Sequence, residues 1–407
     1  MDYDLIVVKT LERVYKNYYY IIRGEKFMVK IFVTGDNHIG KKYNRYPEVK
    51  EILVQSRFDS LKNMVIKAEE ESCDLFIITG DLFDSINSIK VSDVKRVVDI
   101  LSMFTGNVIV LPGNHDYYTG DEKVWDNFKK CLLSIDNNIT LITEFKTCKF
   151  EVGEDNVVLY PAFCQSKHSK KNNLDWIKHS KINEYDGINI GIAHGALKGV
   201  TPDINEDYFL MSESELSGIP VDIWLLGHTH IPYPNDLKED EDTKGYKVFN
   251  PGTHEQTDLS NNTEGNGFII SIEKNNNISK VLARKFISGH VRYYNINLTV
   301  NPDSDNALSK ALYEVTNIID DYSIIRIIIS GSVKHEEYIN KEEIYRECLG
   351  RFLTYEKEDT ELSEEITVDK IRNEFAETSF TAKFMEGLIT NPTELQMAYQ
   401  LIQKCKE

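Results

Sequence analysis

Apolar runs that stop abruptly on polar, chemistry-bearing residues recur along this chain. Lys30-Ile31-Phe32-Val33-Thr34 closes on Gly35-Asp36, Leu75-Phe76-Ile77-Ile78-Thr79 on Gly80-Asp81, and Asn107-Val108-Ile109-Val110-Leu111 on Pro112-Gly113-Asn114. Between these runs the period changes: Phe58, Leu61, Val65 and Ala68, then Val91, Val94, Val97, Val98, Leu101 and Phe104, repeat at helical intervals. The order predicts β-α-β-α-β, and near-continuous apolar strands belong to a sheet covered on both faces. Ile188–Ile192 before Ala193-His194 and Asp222–Leu226 before Gly227-His228 extend the pattern. Tyr246–Phe249 and Gly267–Ile272 read as antiparallel strands, separated by the turn Asn250-Pro251-Gly252 and a polar loop through Asn261-Asn262.

Farther on, Asn301-Pro302-Asp303-Ser304-Asp305-Asn306 reads as a linker. A helix over Ala307–Ile319, a strand over Ile324–Ile329 and further helical, acid-rich sequence follow it. The expected organisation is an extension over residues 1–27, a catalytic α/β domain over 28–295, a small α/β accessory domain over 296–362 and a helical tail over 363–407.

With 407 residues, 41% hydrophobic and 28% charged, the composition is that of a globular protein large enough for more than one domain. No apolar run reaches membrane-spanning length, and residues 1–27 lack the features of a signal peptide, so a cytoplasmic protein without a membrane partner is expected. The six cysteines form no CxxC pair, which sets aside a zinc knuckle or disulfide framework. Net charge changes the picture more. At −18, the chain lacks the basic excess of a protein that grips nucleic acid unaided. The surplus acid sits in Lys238-Glu239-Asp240-Glu241-Asp242 and in Glu356–Glu365, away from the strand-end motifs.

Those motifs are Asp36-Asn37-His38, Gly80-Asp81-Leu82-Phe83-Asp84, Gly113-Asn114-His115-Asp116, Ala193-His194-Gly195 and Gly227-His228-Thr229-His230. Ligands of open α/β sheets bind beyond the carboxyl ends of strands, where every one of these motifs lies. Any one of the histidines alone reads as an ordinary surface or hydrogen-bonded residue. The ordered set reads as a site for two divalent ions, about 3.5–4 Å apart, hydrolysing a phosphate ester. Asp81 is the candidate bridge, because a carboxylate offers one oxygen to each ion. Asp36, His38 and His230 suit the first ion; Asn114, His194 and His228 suit the second. Mixed nitrogen and oxygen donors favour manganese, iron or zinc over magnesium or calcium. His115 is the candidate to stabilise charge or protonate the leaving oxygen, Asp116 to hold its imidazole in the right tautomer, and Asp84 to support the site from behind. His168, His179, His290 and His335 have no motif around them. His254, after Asn250-Pro251-Gly252-Thr253, is a weaker candidate for a contact with substrate or ligand.

The series resembles the calcineurin-like metallophosphoesterases. More narrowly, residues from about 28 to 290 look like the SbcD-type DNA repair nucleases, prokaryotic relatives of the Mre nuclease. That likeness rests on Asp36-x-His38-Ile39-Gly40, Arg57-Phe58-Asp59-Ser60-Leu61, Leu111-Pro112-Gly113-Asn114-His115-Asp116 and Asn250-Pro251-Gly252-Thr253. It implies a four-layer β-sandwich flanked by helices, a DNA-capping domain after it, and a homodimer. It also implies manganese-dependent 3′-to-5′ exonuclease and single-strand endonuclease activity on DNA, in repair and end processing. The implied partner is an SbcC-like ABC-type coiled-coil ATPase. Residues 363–405, with Ile371, Phe375, Phe380, Phe384, Leu388 and Ile402 among charges, form either its docking segment or an ordinary packed helix pair. Such a partner would supply most DNA affinity, leaving Lys41, Lys42, Arg45 and Lys198 as local contacts. Asn37 departs from the aromatic or apolar residue often found between the first Asp and His. Two other readings stay open: hydrolysis of a non-DNA phosphate ester, as by a phosphoprotein phosphatase or nucleotide phosphodiesterase, and a metal-free binding scaffold, which the filled ligand positions disfavour.

Overall fold

The computed structural model describes residues 28–405, apart from residues 136, 154, 183–186, 202–204, 276–277 and 303–304. The expected extension over residues 1–27 lies outside the described residues. The chain divides into two compact units, the second beginning at Tyr293.

In the first unit, β1 (Val29–Thr34), β2 (Leu75–Ile78), β3 (Asn107–Val110) and β4 (Ile139–Leu141) lie parallel. Three helices connect them: α1 (Lys50–Glu70), α2 (Val91–Leu101) and α3 (Lys123–Leu132). Next come β5 (Cys148–Val152), β6 (Asp155–Ala162), β7 (Ile188–His194), β8 (Ile223–Gly227), β9 (Thr243–Lys244) and β10 (Val248–Phe249). The hairpin β11 (Asn266–Asn275) and β12 (Ile278–Ile287) then returns to the first sheet, placing Ile272 opposite Val29. One sheet has seven strands in the order β4-β3-β2-β1-β11-β12-β9; the other has five, β10-β8-β7-β6-β5.

Side chains alternate across a strand, so each sheet has two apolar faces to bury. Phe32, Phe76, Ile78, Val108 and Val110 meet Phe58, Leu61, Val94, Val97 and Trp125 of the helices. Val29, Ile31, Val33, Leu75, Ile77 and Ile109 point the other way, onto Val157, Leu159, Ile190, Ile192, Ile223 and Leu225 of the second sheet. Beyond that sheet, Val158, Tyr160 and Leu226 pack with Leu174, Ile177 and Leu216, in or beside the short helices Asp175–Lys178 and Glu213–Ser217. The result is the mixed α/β fold expected from the sequence, layered helix, sheet, sheet, helix. Each fully buried aliphatic or aromatic side chain adds about 1.5–3 kcal/mol of transfer free energy. That is enough to hold the loops at the strand ends on a rigid base.

One strand direction differs from the sequence reading. Of residues 246–249 only Val248 and Phe249 pair, and they run parallel to β8, with Val248 opposite Trp224. The excursion after Gly227-His228 carries the chain back to the start of β8, where Trp224 N–H donates to Lys247 O at 2.7 Å. A chain returning to that end can only re-enter in the same direction.

The second unit contains a three-stranded sheet of β13 (Arg292–Val300), β14 (Ser323–Val333) and β15 (Thr354–Glu364), in that order. Helices Ala307–Thr316 and His335–Leu349 cover it through Leu308, Leu312, Tyr345 and Leu349, packed on Ile325, Ile327 and Ile329. The acid-rich stretch expected to be helical is thus largely a strand. Its backbone pairs in parallel with β14, from Ile324 opposite Thr354 to Val333 opposite Glu364. Lys341 of the neighbouring helix meets Asp359 at 2.8 Å and Arg326 of β14 meets Glu358 at 3.3 Å, so cations from the neighbouring helix and strand offset part of the acid. Helices Val368–Glu374, Phe380–Gly387 and Pro392–Lys404 end the chain. Ile371, Phe375, Leu388 and Ile402 pack into a small core with Met385 and Leu395, while Phe380 and Phe384 stay exposed and stack at 5.9 Å. Among the described residues no helix is long and apolar enough to cross a membrane.

Candidate metal centre

The loops after β1 and β2 are zipped together by their backbones. Asp36 N–H donates to Gly80 O (3.0 Å), His38 N–H to Asp81 O (2.9 Å) and Ile39 N–H to Leu82 O (2.9 Å). To make these bonds Asp36, His38 and Asp81 adopt left-handed backbone, with φ of 49°, 43° and 51°, and His228 sits at 98°. Non-glycine residues rarely occupy this region, and such strain gathers where surrounding structure imposes it for function. Thr253 Oγ1 ties the same turn from another loop, donating to Asp36 O at 3.0 Å. Gly80 allows close approach: its φ is 114°, and an added Cβ would collide with the His194 ring. Gly80→Ala is therefore expected to lower stability by about 1–3 kcal/mol through overpacking, besides its φ penalty. Denaturant unfolding of the metal-free protein measures this, and an unchanged midpoint would contradict it.

Asp36, His38, Asp81, Asn114 and His194 are buried, and His228 and His230 are half-buried. Ligand atoms of Asp36, His38 and His230 lie within 4.8 Å of one another, as do those of Asp81, His194 and His228, and those of His38, Asp81 and His115. Hydrogen-bond polarity tests whether a cation fits. His194 Nδ1 must donate to Thr79 O, 2.9 Å away, so its Nε2 carries a lone pair. That lone pair faces Asn114 Oδ1 at 3.0 Å and Asp81 Oδ2 at 3.4 Å. His228 Nδ1 approaches the same Asn114 oxygen at 2.9 Å. On the other side, His38 Nδ1 lies 3.2 Å from Asp84 Oδ1, which leaves Nε2 facing His230 Nε2 at 3.1 Å and Asp81 Oδ2 at 3.7 Å. Acceptors thus converge on acceptors in a buried space, an arrangement relieved by cations. The donor set fits divalent metal ions.

Without metal, protons must take that place. Burial raises the Asp36 carboxyl to about 7, helped by the charge of Asp81 and opposed by His194. Burial would raise Asp81 too, but His194, then His38 and His115, carry it far below the carboxylate range. Burial would lower His194, yet Asp81 and Asp36 lift it to about 9. Burial also holds His38 and His230 below the usual imidazole value. An ion held by His194 must therefore displace the His194 proton below pH 9, and an ion held by Asp36 the Asp36 proton below pH 7. Affinity for a divalent ion is expected to climb by roughly tenfold per pH unit up to pH 9 at the His194 cluster and up to pH 7 at the Asp36 cluster. Calorimetric titration in buffers of different ionisation heat measures the protons released; pH-independent affinity would contradict this charge assignment.

His115 is half-buried, with its ring edge-on to His38 at 4.7 Å between centroids and its N–H on Asp81 Oδ1 at 2.8 Å. The expected pairing of Asp116 with His115 does not occur. Asp116 Oδ1 accepts from Gly113 N–H (2.6 Å) and Oδ2 from Phe83 N–H (2.9 Å), because the side chain folds back across its own turn. It ties the loops after β2 and β3 together, and burial, with Asp81's charge, lifts it to about 8. The Asp84 carbonyl takes over at His115, 3.3 Å from Nδ1, while the Asp84 carboxylate faces His38. His254 is buried with Nε2 on Arg57 O at 2.9 Å, which gives it a structural role instead of a substrate contact. Lys42, Arg45 and Lys198 are exposed, and Lys41 is half-buried.

A cavity of about 680 Å³ opens over the centre, lined by Asp81, Asn114, His115, His228 and His230 together with Thr201, Tyr208 and residues of the Thr257–Thr263 loop. Tyr208, which no sequence signal marked, stacks on His228 at 4.9 Å. Thr79 and Arg57 were likewise not assigned to the site. Thr79 acts through its carbonyl, which no side-chain pattern reveals, whereas Arg57 stood in the helix motif quoted for the family likeness.

The family model described as calcineurin-like phosphoesterase matches residues 29–232, half of the chain. The chain belongs to the calcineurin-like phosphoesterase family. That span contains every residue of the three clusters above. Among curated proteins, the chain is 26% identical over 182 residues to the uncharacterized metallophosphoesterase YhaO of Bacillus subtilis strain 168; the match takes in 43% of this chain and 41% of that protein. This phosphoesterase therefore spans less than half the length of that relative. Among solved structures it is similar to the calcineurin-like phosphoesterase YfkN of Bacillus subtilis, with 12% identity, a TM-score of 0.39, and 64% and 90% of the two chains covered. A dimetal phosphatase of Danio rerio matches with 12% identity, a TM-score of 0.38 and coverage of 64% and 98%.

Proposed function

We propose that this phosphoesterase is a two-metal phosphodiesterase that cuts DNA, with manganese as its working ion. Asp36, His38 and His230 would hold one ion, Asn114, His194 and His228 the other, with Asp81 between them. The observation that carries this reading is the position of Asp81. His38 Nε2 and His194 Nε2, from separate clusters, approach the same oxygen, Oδ2, at 3.7 and 3.4 Å. Bound dications would clamp the phosphate oxygens, neutralise developing charge and acidify a water. The chain's own contribution centres on His115. Its backbone is held by Asp81 and its Nδ1 faces the Asp84 carbonyl, so only the doubly protonated imidazolium, with its second proton on Nε2, would hand a proton to the departing oxygen and return to the neutral ring.

DNA as substrate is supported by the SbcD-like motif details of residues 28–290 and by a separate compact unit following the catalytic one. With that reading go 3′-to-5′ exonuclease and single-strand endonuclease action in the cytoplasm, a homodimer and an ABC-type coiled-coil ATPase partner. A second reading, hydrolysis of a smaller non-DNA phosphate ester, is favoured by the net charge of −18 and by a cavity with no lysine or arginine among its described lining residues. The test presents manganese-loaded protein with end-labelled single- and double-stranded DNA beside bis-p-nitrophenyl phosphate, nucleotides and a phosphopeptide. DNA cleavage is the expected result. Turnover of small esters with intact DNA replaces it by the second reading, and no hydrolysis of any of them removes both.

A further inference from the structure

Arg57 is one of the largest fully buried side chains of the protein, although it carries a permanent charge. It projects from α1 toward the turn between Asp36 and His38. Its Nη1 donates to Asn37 O at 2.7 Å, and its Nε donates to Tyr43 Oη at 2.6 Å. Asn37 is the residue between the two left-handed ligands, so its carbonyl is the hinge of that turn. With Asp36 at φ 49° and His38 at φ 43°, this carbonyl points into the protein, away from any strand partner, where an unsatisfied acceptor costs about 1–3 kcal/mol. Arg57 is itself held: His254 Nε2 donates to its carbonyl at 2.9 Å, and Tyr43 is buried beside it.

We infer that Arg57 is a positioning residue for the metal centre: through the Asn37 carbonyl it holds the Asp36-Asn37-His38 turn in the strained form that aims both side chains at one ion. The inference rests on the two-ion reading given above. It makes a specific demand, because the Arg57 guanidinium reaches the turn that carries Asp36 and His38. The trio Asp36, His38 and His230 depends on it, whereas Asn114 and His228, in the loops after β3 and β8, and His194, at the end of β7, are held through Thr79 and by each other, with the backbone N–H of His228 on the Asp36 carboxylate at 2.9 Å. Groups behind metal ligands commonly change affinity by about 10–100-fold when removed.

The test measures free Mn2+ by electron paramagnetic resonance in titrations of metal-free full-length protein. Wild type is expected to bind two ions; fewer would overturn the two-ion reading itself, separately from the role of Arg57. His194→Ala isolates the Asp36 site, and His230→Ala isolates the other. Arg57→Met, which keeps the volume and removes the donors, is expected to weaken Mn2+ binding roughly 10–100-fold in the His194→Ala background and less than about twofold in the His230→Ala background. Equal losses in both would mark Arg57 as merely structural, and no loss in either would mark it as idle; each overturns the inference. Should Arg57→Met not fold, Arg57→Lys retains the charge but loses the two-pronged reach. It is expected to show the same asymmetry at smaller amplitude, and symmetric or absent effects overturn the inference equally.

Discussion

Asp81→Ala is expected to abolish binding of both ions and to cut phosphodiester turnover by roughly 10³-fold or more. Each bound ion contributes several kcal/mol of charge stabilisation in the transition state, and each 1.36 kcal/mol is a factor of ten in rate. The neighbouring carboxylates Asp36, Asp84 and Asp116 cannot serve in its place. Asp36 stands in the His38–His230 cluster, the Asp116 oxygens are committed to Gly113 and Phe83 N–H groups, and the Asp84 carboxylate faces His38 Nδ1. Losing Asp81 also removes the anion chiefly responsible for raising His194, and the acceptor of His115 N–H. The measurements are metal content after manganese loading and gel filtration, a nuclease or bis-p-nitrophenyl phosphate assay, and circular dichroism to establish folding. A folded Asp81→Ala protein that still carries two ions would remove Asp81 from the bridging position.

His115→Asn has the second largest expected effect, and it separates chemistry from metal binding. Both ions should be retained at wild-type affinity, since the backbone N–H on Asp81 survives the substitution. Turnover on DNA should drop about 10²–10⁴-fold, the usual contribution of a positioned general acid. The loss should shrink on p-nitrophenyl esters, whose leaving group departs without a proton. Full DNA cleavage by the variant would end the assignment; an equal loss on both ester types would move His115 from proton donation to charge stabilisation.

How much of this was legible depended on how local each signal is. Lys30–Thr34, Leu75–Thr79 and Asn107–Leu111 announced themselves because a strand buried on both faces needs apolar residues at every position, and glycine or proline marks its end. The edge and hairpin strands β4, β5 and β12 escaped, and β15 was misread. In β15 only Leu362 is buried among Thr354–Glu364, so its identity comes from backbone pairing with β14 and from cations that its neighbours supply, Lys341 and Arg326. Charge pattern alone resembled a helix there.

The candidate site divides along the same line. By itself the sequence determined which residues stand at the carboxyl ends of strands, and hence that Asp36, His38, Asp81, Asn114, His194, His228 and His230 belong to one place. Strand, stop and ligand are consecutive in the chain, so their relation is local. Tertiary structure alone decided what each side chain faces. Asp116 turned to backbone N–H groups, His254 to the carbonyl of Arg57, and Arg57 to the carbonyl of Asn37, twenty residues away along the chain. Those partners are backbone groups left over once the sheets and left-handed turns have formed. No periodicity encodes them, because the need for a donor or acceptor at such a point arises only when distant segments have met.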